Sequence, residues 1–298
     1  MNKILVIVGP TAVGKTALAL ALAKKFDGEL LSADSRQVYK GMDIVTGKDL
    51  PKDGTKIWLT DLVDPKEEFS VSQWRKEAMK VLKSVWDKKR LPIVVGGTGL
   101  YIRALLDGIG TIDIPPNKSL RDHLSGKTPQ ELFDILASVD NLRAAGMNQS
   151  DRKNPRRLLR AIEISHWEQD KSKGRDKGNN QWDIFMIGLK TDELGKSIEK
   201  RVKGLVEEGA LDEVKRLIKG GTHWDAQSMT GIGYRKFRDF FDGKISLEEV
   251  ERQWVQADLQ YAKRQMTWFK KDKRVKWFDV ARSGWQKKVE KAVKNWYN

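Results

Sequence analysis

The chain has 298 residues, enough for one large domain or two smaller ones with a complete hydrophobic core. It contains no cysteine, which excludes disulfides, zinc–thiolate sites and thiol nucleophiles. Its 56 lysines and arginines against 41 acidic residues give a formal charge of +15, so a polyanionic partner is to be weighed against a merely basic surface. No apolar run approaches the ~18 residues of a membrane span, and the first residues already resemble a core strand. We therefore expect a cytoplasmic location and no membrane partner. We also expect a monomer.

The first predicted element is a buried strand, Lys3–Val8, which leads into the sequence GPTAVGKT and then into a helix rich in alanine and leucine. This spacing matches G-x-x-x-x-G-K-[ST], and a buried strand before it with a helix after it disfavours a chance match. Backbone N–H groups of such a loop converge on phosphate oxygens, Lys15 supplies a positive charge, and the Thr16 hydroxyl can hold Mg²⁺. The predicted phosphate cradle consists of Gly9, Pro10, Thr11, Ala12, Val13, Gly14, Lys15 and Thr16.

A second short strand begins near Glu29 and ends on polar residues that include Asp34. The carboxyl ends of parallel strands open on the same crevice, so we expect Asp34 to face the glycine loop across a ligand. The alternative is that Asp34 is only a turn or capping residue.

The next elements alternate between strand and helix. Ile57–Val63 predicts a strand, and Ser70–Lys89 predicts an amphipathic helix with Ser70 and Gln73 as a capping box. The buried strand Leu91–Val95 then runs into a second glycine turn. No acid follows this strand to hold a metal, as one would in a nucleotide-hydrolysing motor, and this favours transfer chemistry.

The character of the chain changes at about residue 111. Residues 111–150 combine weak apolar faces with charged helical stretches and predict an inserted segment, between core parts at 1–110 and 151–298. A helix is predicted to start near Pro155, with Arg156, Arg157 and Arg160 on its exposed side. A charge run is usually a solvated face, but this density of arginine in a basic chain favours contact with a polyanion.

The last part returns to the core. We expect a mobile polar loop at 171–180. The regular elements predicted after it are a strand at Ile184–Leu189, helices at Glu193–Glu208 and Leu211–Lys219, a helix from Ser246, and a strand at Arg274–Val280.

Taken in order, several segments resemble the tRNA dimethylallyltransferases, also called isopentenyl-tRNA transferases, over nearly the whole chain. They are GPTAVGKT at 9–16, SADSRQVYKGMDI at 32–44, GGTGLY at 96–101, NPRRLLRAIEI at 154–164, GIGYR at 231–235 and YAKRQMTWF at 261–269. The resemblance implies an α/β fold, with a P-loop kinase-like parallel sheet flanked by helices and a small inserted helical domain that holds the anticodon stem. It implies transfer of a dimethylallyl group from dimethylallyl diphosphate to the exocyclic amine of the adenosine 3′ of a tRNA anticodon.

The resemblance also implies roles for particular residues. The loop at 9–16 would cradle the diphosphate with Mg²⁺, Asp34 would be the general base, and Arg235 would steady the departing diphosphate. Lys15 and Thr16 would share in catalysis. The residues implied to contact tRNA or substrate are Asp34, Ser35, Arg36, Gln37, Thr98, Arg121, Arg156, Arg157 and Arg160.

One departure from the family pattern concerns Asp258-Leu259, where members usually carry threonine and arginine. We expect some tRNA contacts to be lost or relocated there. Two other functions remain open: a small-molecule or nucleotide kinase, and a non-catalytic nucleic-acid-binding module. A small-molecule kinase has no need of the arginines at 156–160, and a binding module has no need of Asp34 paired with Arg235.

Overall fold

A sheet of parallel strands forms the centre of the protein. The structure is a computed structural model that describes residues 1–49, 51, 53–170 and 182–298, with the backbone alone at 169 and 170. Within these residues the sheet has six strands in the order β3-β2-β4-β1-β5-β6, every neighbouring pair being parallel. Their bounds are β1 Asn2–Val8, β2 Gly28–Ser32, β3 Ile57–Trp58, β4 Leu91–Val95, β5 Trp182–Lys190 and β6 Val275–Asp279.

The helices lie between and after these strands. Their bounds are α1 Lys15–Phe26, α2 Val71–Asp87, α3 Gly99–Leu106, α4 Lys118–His123, α5 Pro129–Val139, α6 Asn141–Ala145, α7 Gln149–Arg152, α8 Pro155–Asp170, α9 Leu194–Glu207, α10 Ala210–Lys219, α11 Ile232–Phe241, α12 Leu247–Phe269 and α13 Trp285–Tyr297. The capping box predicted for α2 is confirmed, because Ser70 Oγ accepts from the Gln73 backbone N–H at 3.2 Å and Gln73 Oε1 accepts from the Ser70 N–H at 2.9 Å.

Both faces of the sheet are covered, as expected for parallel strands. Successive side chains of β1 point to opposite faces, so Ile4 and Val6 enter one core and Leu5 and Ile7 the other. Helices α1 and α13 cover the second core, and helices that include α2, α9 and α12 cover the first. The predicted fold class, an α/β parallel sheet flanked by helices, is confirmed.

The strand predicted over Ile57–Val63 is wrong in length. Only Ile57 and Trp58 form β3, and they pair with β2. Leu59 and Asp61 have left-handed backbone angles, with φ of 70° and 55°, which turn the chain out of the ladder. Val63 returns only as an isolated bridge to Tyr39.

The chain divides into two compact units. Unit 1 is Met1–Leu106 with Asn180–Asn298 and contains the sheet, whereas unit 2 is Asp107–Asn179 and contains α4 to α8. The core of unit 2 consists of Leu124, Leu132, Leu136, Ala144, Leu158 and Ile162.

Unit 2 is larger than the insertion predicted at 111–150. Helix α8 was expected in the second part of the core, but its Leu158 and Ile162 are buried with Leu132 and Leu136 of α5. Burial of this apolar stripe is what assigns the helix to unit 2. The polar loop predicted at 171–180 lies outside the described residues. Among the helices of the described ranges, none has both the length and the apolarity that crossing a membrane requires.

Candidate active site

The glycine loop joins β1 to α1 through a tight turn. Gly9 has φ 146° and Gly14 φ 87°, and a Cβ at Gly9 would lie 2.6 Å from the backbone oxygen of Leu189, so only glycine fits there. Lys15 is the first residue of α1, and its Nζ donates to the backbone oxygen of Pro10 at 2.6 Å. The lysine is therefore folded back under the loop at the N-terminus of a 12-residue helix, where backbone N–H groups favour an anion.

A cavity of about 570 Å³ adjoins this loop. The four residues predicted to be catalytic, Lys15, Thr16, Asp34 and Arg235, all line it. So do Thr11, Ala12, Gly14, Ser35, Arg36 and Gln37 among the other predicted site residues. The structure thus brings together segments that are some 200 residues apart in the sequence.

Asp34 follows β2 and is half-buried at the cavity wall. Its Oδ1 accepts a hydrogen bond from the Arg36 backbone N–H at 2.8 Å, the arrangement of an Asx turn. Thr98 steadies the same turn, because its Oγ1 accepts from the Ser35 N–H at 3.1 Å. Asp34 is therefore both a turn residue and a cavity residue, so the two interpretations of the sequence do not exclude each other.

The neighbours of Asp34 are held by further contacts within unit 1. Arg36 Nη1 donates to the backbone oxygen of Gln227 at 2.7 Å. Gln37 Oε1 accepts from Ser32 Oγ at 2.8 Å. These bonds hold the Arg36 and Gln37 side chains of the predicted substrate-contacting segment.

Gln265 of α12, whose role sequence reasoning missed, holds the glycine loop from the far side. Its Oε1 accepts from the Thr11 backbone N–H at 2.9 Å, and its Nε2 donates to the backbone oxygen of Gly97 at 3.1 Å. The approach is so close that a Cβ at Gly97 would lie 2.0 Å from Gln265 Nε2. One buried amide thus links the two glycine turns at the carboxyl ends of β1 and β4.

Arg201 of α9 is a second residue that sequence reasoning missed. Its Nη1 donates to Thr11 Oγ1 at 2.9 Å and its Nη2 to the backbone oxygen of Thr46 at 3.3 Å, and it lines the cavity. Desolvation and then the nearby Arg201 charge lower the pKa of Lys15 to about 8. Two cations held close together in this way form a receptor for an anion.

Glu213 of α10 holds together two segments that line the cavity, at Val45 and at Tyr234. This buried carboxylate accepts from the backbone N–H groups of Asp43, Ile44 and Val45 at 2.8, 2.7 and 3.0 Å, and from the Tyr234 hydroxyl at 2.6 Å. Burial, together with the Glu213 charge, raises the pKa of Tyr234 well above its ordinary value. The bond connects the segment after β2 to α11, the helix that carries Arg235.

A metal ion, if bound, would have few ligands from the protein itself. The described residues contain no group of three or more histidine, cysteine or acidic side chains that could hold one. Mg²⁺ commonly keeps water and phosphate oxygens and uses one or two protein ligands. Thr16, half-buried at the cavity wall, fits such a role.

Unit 2 carries the other predicted arginines, and most of them have partners within the unit. Arg121 forms a two-point ion pair with the buried Glu163, at 2.6 and 3.1 Å. Arg160 donates through Nη1 to Glu163 at 3.2 Å and through Nη2 to the backbone oxygens at residues 111 and 114, at 2.9 and 2.7 Å. Arg157 pairs with Asp151, and Arg156 is exposed.

The fold and cavity define a parallel α/β protein with a glycine-loop site suited to a phosphate-bearing ligand. The family model described as IPP transferase matches residues 37–272. The chain therefore belongs to the IPP transferase family.

Full-length relatives agree with this assignment. A protein of Thermomicrobium roseum named tRNA dimethylallyltransferase is 38% identical, with 98% of this chain and 92% of the relative covered. One of the same name from Geobacillus thermodenitrificans is 39% identical, over 94% and 91%. The crystal structure of a tRNA isopentenylpyrophosphate transferase from Bacillus halodurans is similar with a TM-score of 0.74 and 36% identity, over 99% and 97% of the two chains. The resemblance stated from sequence is thereby confirmed.

Proposed function

We propose that the protein transfers a dimethylallyl group from dimethylallyl diphosphate to the exocyclic amine of the adenosine 3′ of the anticodon in tRNA, and releases diphosphate. One observation carries the proposal: a carboxylate, Asp34, shares a single cavity with the glycine loop and with Lys15, Arg201 and Arg235. The names of the relatives support the same reaction.

Asp34 is the general base in this reaction. An adenine amine is a poor nucleophile because its lone pair is delocalised into the ring. A carboxylate that takes the amine proton as the new bond forms accelerates such a step by about 10²–10⁴-fold. The Asx turn uses Oδ1 of Asp34, and it holds the carboxylate in place at the cavity wall.

The cations of the cavity receive the leaving group. Negative charge grows on the diphosphate as the carbon–oxygen bond breaks, and Lys15, Arg201 and Arg235 lie around the loop whose N–H groups face it. Mg²⁺, held in part by the Thr16 hydroxyl, would add charge neutralisation when bound. The arrangement favours the charge distribution of the transition state over that of the bound donor.

The target adenosine reaches this cavity by leaving its stack in the anticodon loop. Residues 34–37, which line the cavity, and Thr98, which accepts a hydrogen bond from Ser35, are proposed to contact it. Arg121, Arg156, Arg157 and Arg160 are proposed to contact the tRNA backbone. A tRNA substrate supports a cytoplasmic location, and we propose that the protein acts as a monomer.

The test uses purified protein, Mg²⁺, dimethylallyl diphosphate and an anticodon stem-loop with adenosine 3′ of the anticodon. We expect a product heavier by one dimethylallyl group and free diphosphate, without ATP, measured by mass spectrometry and a diphosphate assay. The matched stem-loop with guanosine at that position should not react, because guanosine has a carbonyl where adenosine has the nucleophilic amine. Phosphate transfer that requires ATP would instead establish a kinase.

A further inference from the structure

Asp258 is a buried carboxylate in the cavity for which the proposed reaction has no use. It lies on α12, is 5% exposed, and lines the same cavity as the glycine loop. Within the described part of the chain its Oδ2 has no hydrogen-bond partner. A buried carboxylate oxygen without a hydrogen bond is unfavourable, so the Asp258 charge calls for a cationic partner.

Arg201 is that partner. Its Nη1 lies 3.8 Å from Asp258 Oδ2, an ion pair too long for a hydrogen bond, while the Arg201 donors are directed to Thr11 and Thr46. The other charged groups that line the cavity are Lys15, Asp34, Arg36, Asp49, Arg235 and Arg264. Burial raises the pKa of Asp258 to about 6, although Arg201 opposes this.

A bound diphosphate would change the surroundings of this carboxylate. Its oxygens would form an ion pair with Arg201, which contacts the side chain of Thr11 in the loop. The positive charge of Arg201 would then no longer be available to Asp258 alone. Two or more negative charges would then stand close to a carboxylate that is shielded from water. Like charges held close together in a site shielded from water oppose the ionisation of the carboxylate, so the protonated form is favoured.

We propose that Asp258 is the counter-ion of Arg201 in the protein without ligand and takes up a proton from solvent when a diphosphate binds in the glycine loop. The inference rests on the proposed function, because it requires that the loop bind a diphosphate. It makes Asp258 a positioning residue that couples diphosphate binding to pH.

The coupling has a definite sign. Ionised Asp258 disfavours the complex. The affinity for diphosphate is therefore highest below the Asp258 pKa of about 6 and falls as pH rises above it. At pH 7, one unit above that pKa, Asp258 is mostly ionised before binding, and the free energy needed to protonate it lowers the affinity about tenfold relative to low pH. At pH 5.5 the same loss is less than about twofold. The variant Asp258→Asn, which lacks the charge, should therefore bind diphosphate about tenfold more tightly than the wild type at pH 7 and nearly equally at pH 5.5.

The experiment is calorimetric titration of inorganic pyrophosphate with excess Mg²⁺ into wild type, Asp258→Asn and Asp258→Thr, at both pH values. Buffers of different ionisation enthalpy give the number of protons taken up. Pyrophosphate and Lys15 also titrate, but they do so in every variant, so the difference from wild type isolates Asp258. The matched control is Asp212→Asn, the same charge change at an exposed position on α10.

We expect wild type and Asp212→Asn to take up close to one more proton at pH 7 than either Asp258 variant, and to bind more weakly than both. Equal proton uptake, or weaker binding by both Asp258 variants, would overturn the inference and leave the proposed function intact. Absence of pyrophosphate binding to all four proteins would overturn the proposed function and the inference with it. Thermal unfolding of each variant verifies that the fold is retained.

Discussion

Cationic side chains meet different partners in the two units of the protein. In unit 1, Lys15, Arg201 and Arg235 line a cavity beside a loop that presents backbone N–H groups. In unit 2, Arg121 and Arg160 bind the buried Glu163, and Arg157 binds Asp151. The first group is arranged to receive an anion from outside, whereas the second largely stabilises the unit itself. A high density of arginine therefore does not show by itself whether the partner is a ligand or the protein.

The largest effect is expected from Asp34→Asn, which tests whether the unit 1 cavity is catalytic. Asparagine keeps an oxygen for the Arg36 N–H but cannot accept the amine proton, so turnover should fall by about 10²–10⁴-fold. The rate of stem-loop prenylation in a single turnover measures this fall. The affinity for the stem-loop should stay unchanged, and Asp212→Asn is the control variant. Normal turnover would leave Asp34 with its turn role alone.

Glu163→Ala tests whether the unit 2 cations act mainly inside the protein. Removing Glu163 takes the acceptor from Arg121, Arg160 and the Asn117 N–H, and since both arginines keep access to water the cost is about 2–3 kcal/mol. Hydrogen exchange should show that the free energy of opening falls by this amount in peptides from α5 and α8. The free energy of opening in peptides from the sheet should not change. Glu199→Ala, an exposed position on α9, should change neither.

The same network predicts a pH dependence for unit 2. Burial alone would raise the pKa of Glu163, but hydrogen bonds from Arg121, the Asn117 N–H and Arg160 outweigh it and hold the pKa below its ordinary value of 4.5. The stabilisation is therefore present above pH 4.5 and is lost as pH falls through the lower folded pKa. We expect acidification to reduce the exchange protection of α8 more in wild type than in Glu163→Ala. An equal reduction in the two proteins would contradict this.

Arg160→Ala should have a smaller effect on the same observable. It leaves the backbone oxygens at 111 and 114 without the guanidinium donor and weakens the hold on Glu163, which costs about 1–3 kcal/mol. We therefore expect reduced exchange protection at the start of unit 2, together with any loss of tRNA affinity. Reduced tRNA affinity with unchanged exchange protection would show instead that Arg160 is available to a ligand.

Arg156→Ala should have the smallest effect and the opposite pattern. The side chain is exposed at the start of α8, so unfolding should not change. If it neutralises one phosphate, the slope of log affinity against log salt should become shallower by roughly 0.7–0.9. Lys83→Ala, an exposed charge removal on α2, is the control; equal slopes for the two variants would exclude a contact at Arg156.

Patterns that are local in the chain could be predicted from sequence. The glycine loop, the capping box of α2 and the buried strands depend on residues within a few positions of one another, and the structure contains them. Asp34 was placed at the cavity because the carboxyl ends of parallel strands meet at one edge of the sheet.

Contacts between distant segments could not be predicted in this way. Gln265 lies 254 positions from Thr11, and Glu213 is one of two adjacent acids in an amphipathic helix. Asp258 was noticed only as a departure from a family pattern. The limits of unit 2 were missed for a related reason, since an apolar stripe on α8 shows that the helix is buried but not against which core.

The pairing of β1 with β5 has a consequence for synthesis of the protein. β1 is translated well before β5, its pairing partner from Asn2 to Val8, because β5 starts only at Trp182, after the whole of unit 2. At ~5–20 residues per second, the nascent chain spends about 4–17 s between the end of β4 and the start of β5. During that time a central strand has one edge of unpaired N–H and C=O groups, the kind of edge that recruits other strands. Unit 2, whose described contacts are local, has all its residues synthesised within the same interval.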